Sequence, residues 1–283
     1  MRDTLTPHFL PVSLADLNTK AEMLTRLDNK YVVPVDVLET LVPALAAHFD
    51  ILEIDGKRRF GYQTCYFDSP CYSSFHHHVQ GRRRRSKVRT RHYLDAGLCF
   101  VEVKLKTTRK VTVKKRLSHD ARVLDRLHDA PLRFIEDCHT TQYDRASPGE
   151  YQPVLCMQYD RITLVARDGG ERMTIDHGLR FWDDRTEEHA SPDMLIVETK
   201  SRFGRGIADG ILRGSGTHPI GSCSKYCVGL AAIGAVSRFN KFMPAFRRLL
   251  PHLSDAAGRL SQPAFCPIPA ATVPAVPALR QAV

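Results

Sequence analysis

Residues 86–116, SKVRTRHYLDAGLCFVEVKLKTTRKVTVKKR, alternate with a period of two. Lys87, Arg89 and Arg91 fall on one parity, with Val88, Thr90 and His92 on the other. After a turn at Asp95-Ala96-Gly97, Glu102, Lys104 and Lys106 share one face, opposite Val101, Val103 and Leu105. Residues 111–116 repeat the pattern with Lys114 and Arg116 in phase. Successive strand side chains point to opposite faces, so each run has one cationic face and one mostly apolar face. The turn lengths suit hairpins.

Same-face side chains on antiparallel neighbours lie about 5 Å apart, and like charges directly opposite repel. Adjacent cationic rows are therefore costly unless an anion fills the space between them. One reading is a solvated basic surface. The other packs the apolar faces outward against helices and leaves the charged faces lining a closed barrel that a polyanion neutralises. The net charge of +10 favours an anionic partner. No base-stacking RNP signature is present, so sequence-specific nucleic-acid recognition is not expected.

The 43% hydrophobic content supplies a core for one large domain. The eight cysteines form no CxxC pair, and no signal peptide is evident. Scattered thiols in a reducing cytoplasm are the economical expectation. No apolar stretch reaches the ~18 residues of a spanning helix, so a membrane association would need a membrane-protein partner.

Residues 1–20 read as a lead-in, 21–240 as the folded domain, and 241–283 as a helix end followed by a disordered Pro/Ala-rich tail. Strands are expected at residues 24–33, 51–54, 60–67, 153–166, 172–177 and 194–200, besides the three basic runs. Residues 179–182 would add a short strand. Helices are expected at 35–49, 120–132, 203–212 and 224–239, with 134–148 either helix or loop. His76, His77 and His78 are adjacent on a helix and cannot all face one metal, so they read as surface or packing residues. Asp160 and Asp176 are candidates to pair with inward cations. Two segments repeat Glu-x-Lys: Glu102-Val103-Lys104 and Glu198-Thr199-Lys200. A carboxylate two residues from an ammonium on one strand face can hold a divalent metal beside a phosphate. No Walker loop, GxGxxG or HExxH is present, so a triphosphate would be held by side chains.

The ordered set Arg26-x-Asp28-x-Lys30-Tyr31-x-x-Pro34, Tyr66-Phe67-Asp68-Ser69-Pro70, Lys87-x-Arg89-x-Arg91 and Glu102-x-Lys104-x-Lys106 resembles the VTC domain. This is the polyphosphate polymerase module of the vacuolar transporter chaperone complex, in the triphosphate tunnel superfamily with the CYTH proteins. Tyr159-x-Arg161, Glu198-x-Lys200 and Ser224-Lys225-Tyr226 continue the resemblance in order. It implies an α+β fold: an eight-stranded antiparallel closed β-barrel with helices packed outside. It implies ATP, inorganic polyphosphate and Mn2+ or Mg2+ inside the tunnel. Arg89, Arg91, Lys104, Arg161 and Glu198 are then the catalytic candidates. Lys30, Lys87, Lys106, Lys114, Arg116, Lys200 and Lys225 are the phosphate-binding candidates, and Glu198 is the metal ligand.

CYTH hydrolases typically open with Glu-x-Glu-x-Lys, whereas this chain has Arg26-x-Asp28-x-Lys30. One carboxylate fewer and one cation more suit a long polyanion, which points to the polymerase branch. Only about twenty residues precede the first strand, so no SPX regulatory domain is expected. The expected activity is transfer of the terminal phosphoryl group of ATP to polyphosphate. The alternatives are a tunnel tripolyphosphatase or nucleoside triphosphatase, and a non-catalytic polyanion-binding module.

Overall fold

A computed structural model of the chain describes residues 4–20, 27–108 and 112–254. The strands are β1 (Pro11–Val12), β2 (Leu27–Pro34), β3 (Phe49–Leu52), β4 (Phe60–Asp68), β5 (Arg85–Tyr93), β6 (Leu98–Lys106), β7 (Thr112–Ser118), β8 (Gln152–Ala166), β9 (Arg172–Trp182), β10 (Glu187–His189) and β11 (Met194–Ser201). The helices are α1 (Leu14–Lys20), α2 (Val35–Ala46), α3 (Ser73–Val79), α4 (Asp129–Tyr143), α5 (Ile207–Gly214), α6 (Lys225–Ala232), α7 (Met243–Leu249) and α8 (Pro251–Ser254).

Eight strands form one path in the order β2-β11-β9-β8-β4-β5-β6-β7. Every neighbouring pair on it is antiparallel. Short β3 and β10 add to β8 and β9, and β1 pairs with β3. The large antiparallel sheet and its helices match the α+β expectation. The path ends at β2 and β7, and among the described residues no ladder joins these two edges. The closed cylinder is thus not formed by backbone pairing here; what is present is a sheet curled about one face.

The alternation decides which face is which. Tyr31, Val33, Ile162, Leu164, Met173, Ile175, Leu195 and Val197 pack outward on α2 and α5. Val88, Val101, Val103 and Leu105 pack outward on Ile135, Cys138 and Tyr143 of α4. The opposite, inner face is covered at one end by α6 and α7. There Val32, Tyr66, Leu155, Met157, Phe181 and Ile196 bury Cys227, Leu230, Phe242 and Phe246. Burying apolar area on both faces is the main driving force for such layers, at roughly 25 cal/mol per Å2.

Three consecutive residues at the start of α6 fasten it inside the sheet. Ser224 caps the helix by accepting from the Cys227 N–H and also accepts from Lys87 Nζ of β5, at 2.9 Å. Lys225 pairs with Asp176 of β9. The Tyr226 hydroxyl donates to Asp68 of β4 at 2.5 Å. Strands that meet three successive residues of one helix must curve round it. Asp68 also accepts from the Ser74 and Phe75 N–H groups, which starts α3 where Asp68-Ser69-Pro70 leads the expectation.

Several boundaries differ from expectation. Residues 120–128 give only one 3-10 turn, Ala121–Val123, capped by the Asp120 side chain, which accepts from the Arg122 N–H. The helix starts at Asp129 instead, with Pro131 in its first turn, where no N–H is needed. It continues to Tyr143, which settles the open region at 134–148 as mostly helix. The helix expected at 224–239 stops at Ala232. Gly234, at φ +74°, allows the Ala235 N–H to reach Leu230 O and its own N–H to reach Ala231 O. Residues 179–182 continue β9 rather than forming a separate strand. Cys71 is disulfide-bonded, against the all-thiol expectation, while six other cysteines are free. The expected tail begins with the short helix α8, and its remainder, like Arg26, lies outside the described residues.

Candidate functional site

The register stacks the basic runs as the alternation requires. Lys87, Lys104 and Lys114 lie side by side across β5, β6 and β7, as do Arg89, Glu102 and Arg116 in the next inward row. Glu102 is fully buried. Its Oε2 accepts from Arg89 Nε at 2.8 Å and Nη2 at 2.6 Å, and its Oε1 faces Lys114. Burial alone would raise the Glu102 carboxyl. The attraction of Arg89, then Arg91 and Lys114, outweighs it and holds the group well below the usual carboxylate range.

The β8–β9 side repeats the arrangement. Asp176, 1% exposed, takes a two-pronged contact from Arg161 at 2.6 and 2.8 Å and a second cation from Lys225. Burial raises the Asp176 carboxyl, yet Arg161 and Lys225 bring it down to about 2. On β11, Glu198 pairs with Lys200 at 2.9 Å and with Lys30 of β2 at 3.3 Å. Its carboxyl too is held low against burial, chiefly by Lys200, Lys30 and Arg161. Three buried or half-buried carboxylates are therefore each bracketed by two cations.

Lys87, Arg91 and Lys104 share this inner face, and among the described residues none forms an ion pair with a carboxylate. Arg91 is held by neutral oxygens: Nη2 donates to the Tyr159 hydroxyl at 2.9 Å and Nε to Thr64 Oγ1 at 3.3 Å. Lys87 donates to Ser224, and its Nζ lies 5.6 Å from the Tyr226 ring centre. The Arg89 guanidinium lowers the Lys104 ammonium well below an ordinary lysine; burial and Arg91 add to the effect, while Glu198 and Glu102 only partly offset it. A bound anion would relieve this local excess of positive charge.

Ten candidates from the sequence meet here: Lys30, Lys87, Arg89, Arg91, Lys104, Lys114, Arg161, Glu198, Lys200 and Lys225. Lys106 and Arg116 lie at the margin. Lys106 donates to Thr112, and Arg116 is exposed over the Phe100 ring. Asp176 pairs with inward cations as expected. Asp160 instead faces the other way, near His177 at 4.0 Å. His78 stacks on Phe242, and burial drops its pKa to about 2, so the triplet is a packing feature. Glu102, read from Glu-x-Lys as a carboxylate able to hold a metal beside phosphate, is instead clamped by Arg89 and Lys114. Tyr66 and Ser224, named only within the resemblance, and Thr64, not named at all, are oxygen supports. Shared parity with Asp68 was the available signal for Tyr66 and Thr64. Arg89 Nη1 donates to the Tyr66 hydroxyl at 3.2 Å.

Among the described residues no group of three His, Cys, Asp or Glu side chains could hold a metal ion. No helix among them is long and apolar enough to cross a membrane.

The family model described as VTC domain matches residues 25–233 of the chain. No curated protein matches the sequence. Solved structures similar to it include a putative adenylyl cyclase from Hippeastrum described as having a dominant triphosphatase activity. That pair shares 14% identity and a TM-score of 0.44, covering 73% of this chain and 96% of that one. A putative adenylate cyclase from Vibrio parahaemolyticus shares 12% identity and a TM-score of 0.43, covering 72% and 97%. One from Bacillus halodurans shares 10% and 0.42, covering 71% and 95%.

Proposed function

The chain belongs to the VTC domain family, and from that premise we propose that it is a polyphosphate polymerase. The terminal phosphoryl group of ATP is transferred to the end of an inorganic polyphosphate chain held on the basic inner face. The sheet serves as a tunnel for that chain. One observation carries the reading: Lys87, Arg91 and Lys104 remain on the inner face after Glu102, Asp176 and Glu198 have each been matched by two cations.

Phosphoryl transfer asks little covalent chemistry of a protein. It needs reactants in line and charge on the transferred group neutralised. In the proposed step a terminal phosphate oxygen of the acceptor forms a bond to the γ-phosphorus. The bond from that phosphorus to the β–γ bridging oxygen breaks, and ADP leaves with the electron pair. The acceptor oxygen is already anionic, so no general base is required. Lys104 holds the γ-phosphoryl oxygens, Arg91, Arg161 and Lys225 the leaving or acceptor side, and the clamped carboxylates keep the cations in place before substrate arrives.

A preformed metal site does not fit this donor set, because Glu198 stands among lysines. A Mg2+ or Mn2+ ion would arrive with the phosphates, Glu198 being the residue that would hold it. It would supply neutralisation of phosphate charge.

The test is to incubate purified protein with ATP and Mn2+ or Mg2+ and to follow the phosphate. Long-chain polymer is the expected product. Orthophosphate alone would assign the tripolyphosphatase or nucleoside triphosphatase reading. Absence of turnover with either metal, alongside salt-sensitive binding, would assign a polyanion-binding module.

A further inference from the structure

The inner face changes character along both β5 and β6, one row apart on the two strands. On β5 the inward residues run Tyr93, Arg91, Arg89, Lys87; on β6 Phe100 stands opposite Arg91, Glu102 opposite Arg89 and Lys104 opposite Lys87. One end is aromatic and the rest is charged. Same-face residues on a strand are about 6.6 Å apart, so about 20 Å separates Tyr93 from Lys87. That length holds one base, its sugar and three phosphoryl groups in extended form.

The aromatic end is a connected set. Tyr62 of β4 lies 5.1 Å from Tyr93, between ring centres, and stacks on Tyr159 at 5.5 Å with an interplanar angle of 1°. Tyr93 meets Phe100 edge-on at 6.1 Å. Tyr159 is 1% exposed, whereas Tyr62, Tyr93 and Phe100 are only half-buried. Guanidinium groups flank these rings: Arg91 and Arg161 lie 5.4 and 5.2 Å from Tyr62, and Arg116 lies 4.8 Å from Phe100. Half-buried rings between guanidinium groups are chemically suited to a flat, electron-rich heterocycle attached to phosphates. Inorganic polyphosphate has no use for them. At the other end Lys87, Lys104 and Lys114 lie abreast on β5, β6 and β7, where the only ring contact among the described residues is Tyr226 of α6, 5.6 Å from Lys87 Nζ.

Building on the triphosphate reading above, we propose that Tyr62, Tyr93 and Phe100 seat the nucleobase of a nucleoside triphosphate. The phosphates then run along β5 past Arg91 and Arg89, and the γ-phosphoryl group points toward the Lys87–Lys104–Lys114 row. The nucleotide occupies the aromatic end and the growing chain the all-cationic end. Stacking is tolerant of base identity because every base has a π-face, so ATP and GTP bind with similar affinity and the phosphates set the orientation.

Calorimetric titration of wild type, Tyr93→Ala and Phe100→Ala with ATP, GTP and inorganic tripolyphosphate tests this. The expected result is an ATP and GTP affinity about tenfold lower in each variant, with tripolyphosphate changed less than about twofold. Tyr93→Leu and Phe100→Leu keep the apolar bulk and are expected to show the same selective loss. Equal weakening of ATP and tripolyphosphate in the Leu variants would make the rings packing residues and overturn the proposal. Unchanged ATP affinity in the variants would place the base elsewhere and overturn it too. Failure of wild type to bind either ATP or tripolyphosphate would instead overturn the triphosphate reading beneath it.

Discussion

Lys104 of β6 and Glu198 of β11 act on each other across the inner face, although β9, β8, β4 and β5 stand between their strands in the sheet. A flat sheet would hold them about 24 Å apart at the ~4.8 Å spacing of neighbouring strands. The curl brings groups from opposite ends of the chain into one electrostatic neighbourhood, and the chemical consequences can be measured.

Binding of tripolyphosphate should take up protons. In the free protein the Lys104 ammonium is depressed well below an ordinary lysine, by Arg89 first and then by burial. An anion beside it favours the charged form and raises that pKa. Affinity should therefore fall as pH rises through the depressed value, before an ordinary lysine would titrate. Titrations in buffers of different ionisation enthalpy read the uptake directly. Lys104→Met should reduce it, with Lys87 and Lys114, also depressed by burial, supplying the rest, and should weaken binding at least tenfold; unchanged uptake in that variant would remove Lys104 from the proposed phosphate site.

Glu102→Gln should destabilise the fold by about 3 kcal/mol in urea denaturation, because it leaves Arg89 buried without its counter-charge. Arg89→Ala does the converse and strands the carboxylate. Loss of activity in Arg89→Ala thus mixes folding with function, and Arg91→Ala or Lys104→Met is the cleaner probe. A wild-type urea midpoint for Glu102→Gln would show that the clamp adds no stability.

Acid should remove stability through Asp176. Its folded pKa, about 2, lies below the ordinary 3.8, so the unfolded state binds the proton first. The contribution is present above about pH 4 and is lost as pH falls toward 2, at about 2 kcal/mol in all. Thermal melts of wild type and Asp176→Asn across this window check the sign. The Asn variant should be less stable at pH 6 and should lose less on acidification.

Gly229→Ala should cost about 1–3 kcal/mol. A Cβ there would lie 2.7 Å from both Leu155 Cδ2 and Phe181 Cδ1, well inside contact distance. Because α6 carries Lys225 onto Asp176, the same variant should also weaken tripolyphosphate binding. A calorimetric melt and a titration on one sample report both effects, and an undisturbed melting temperature would mean that α6 can shift without penalty.

Period-two alternation made the inner face legible, since Lys87, Arg89, Arg91, Lys104 and Lys114 need only their own strand to fix their side. The hairpin β5–β6 follows from Asp95-Ala96-Gly97, where Gly97 takes φ +63°. Two kinds of feature were hidden. Register shifts near Gln158 and Asp160, and between Tyr66 and Phe67, are set by neighbouring strands, so counting along one strand miscarries there. The carboxylate clamps were hidden as well, because their partners come from other strands: Lys30 for Glu198, and Arg89 and Lys114 for Glu102. Glu-x-Lys looks like a metal site along the sequence. In three dimensions the charges that meet Glu102 come from the strands on either side, Arg89 of β5 and Lys114 of β7.

The order in which α6 arrives bears on synthesis. Ser224, Lys225 and Tyr226 follow every strand of the sheet in the chain. A ribosome therefore releases all eight main strands before the helix that lies against Val32, Ile196, Met157 and Phe181. Until then the nascent sheet presents a bare greasy end and an Asp176 lacking one of its two cations. Folding of this chain is thus completed from its far end, and a fragment ending after Ser201 would expose an aggregation-prone surface while keeping most of the inward-facing cations.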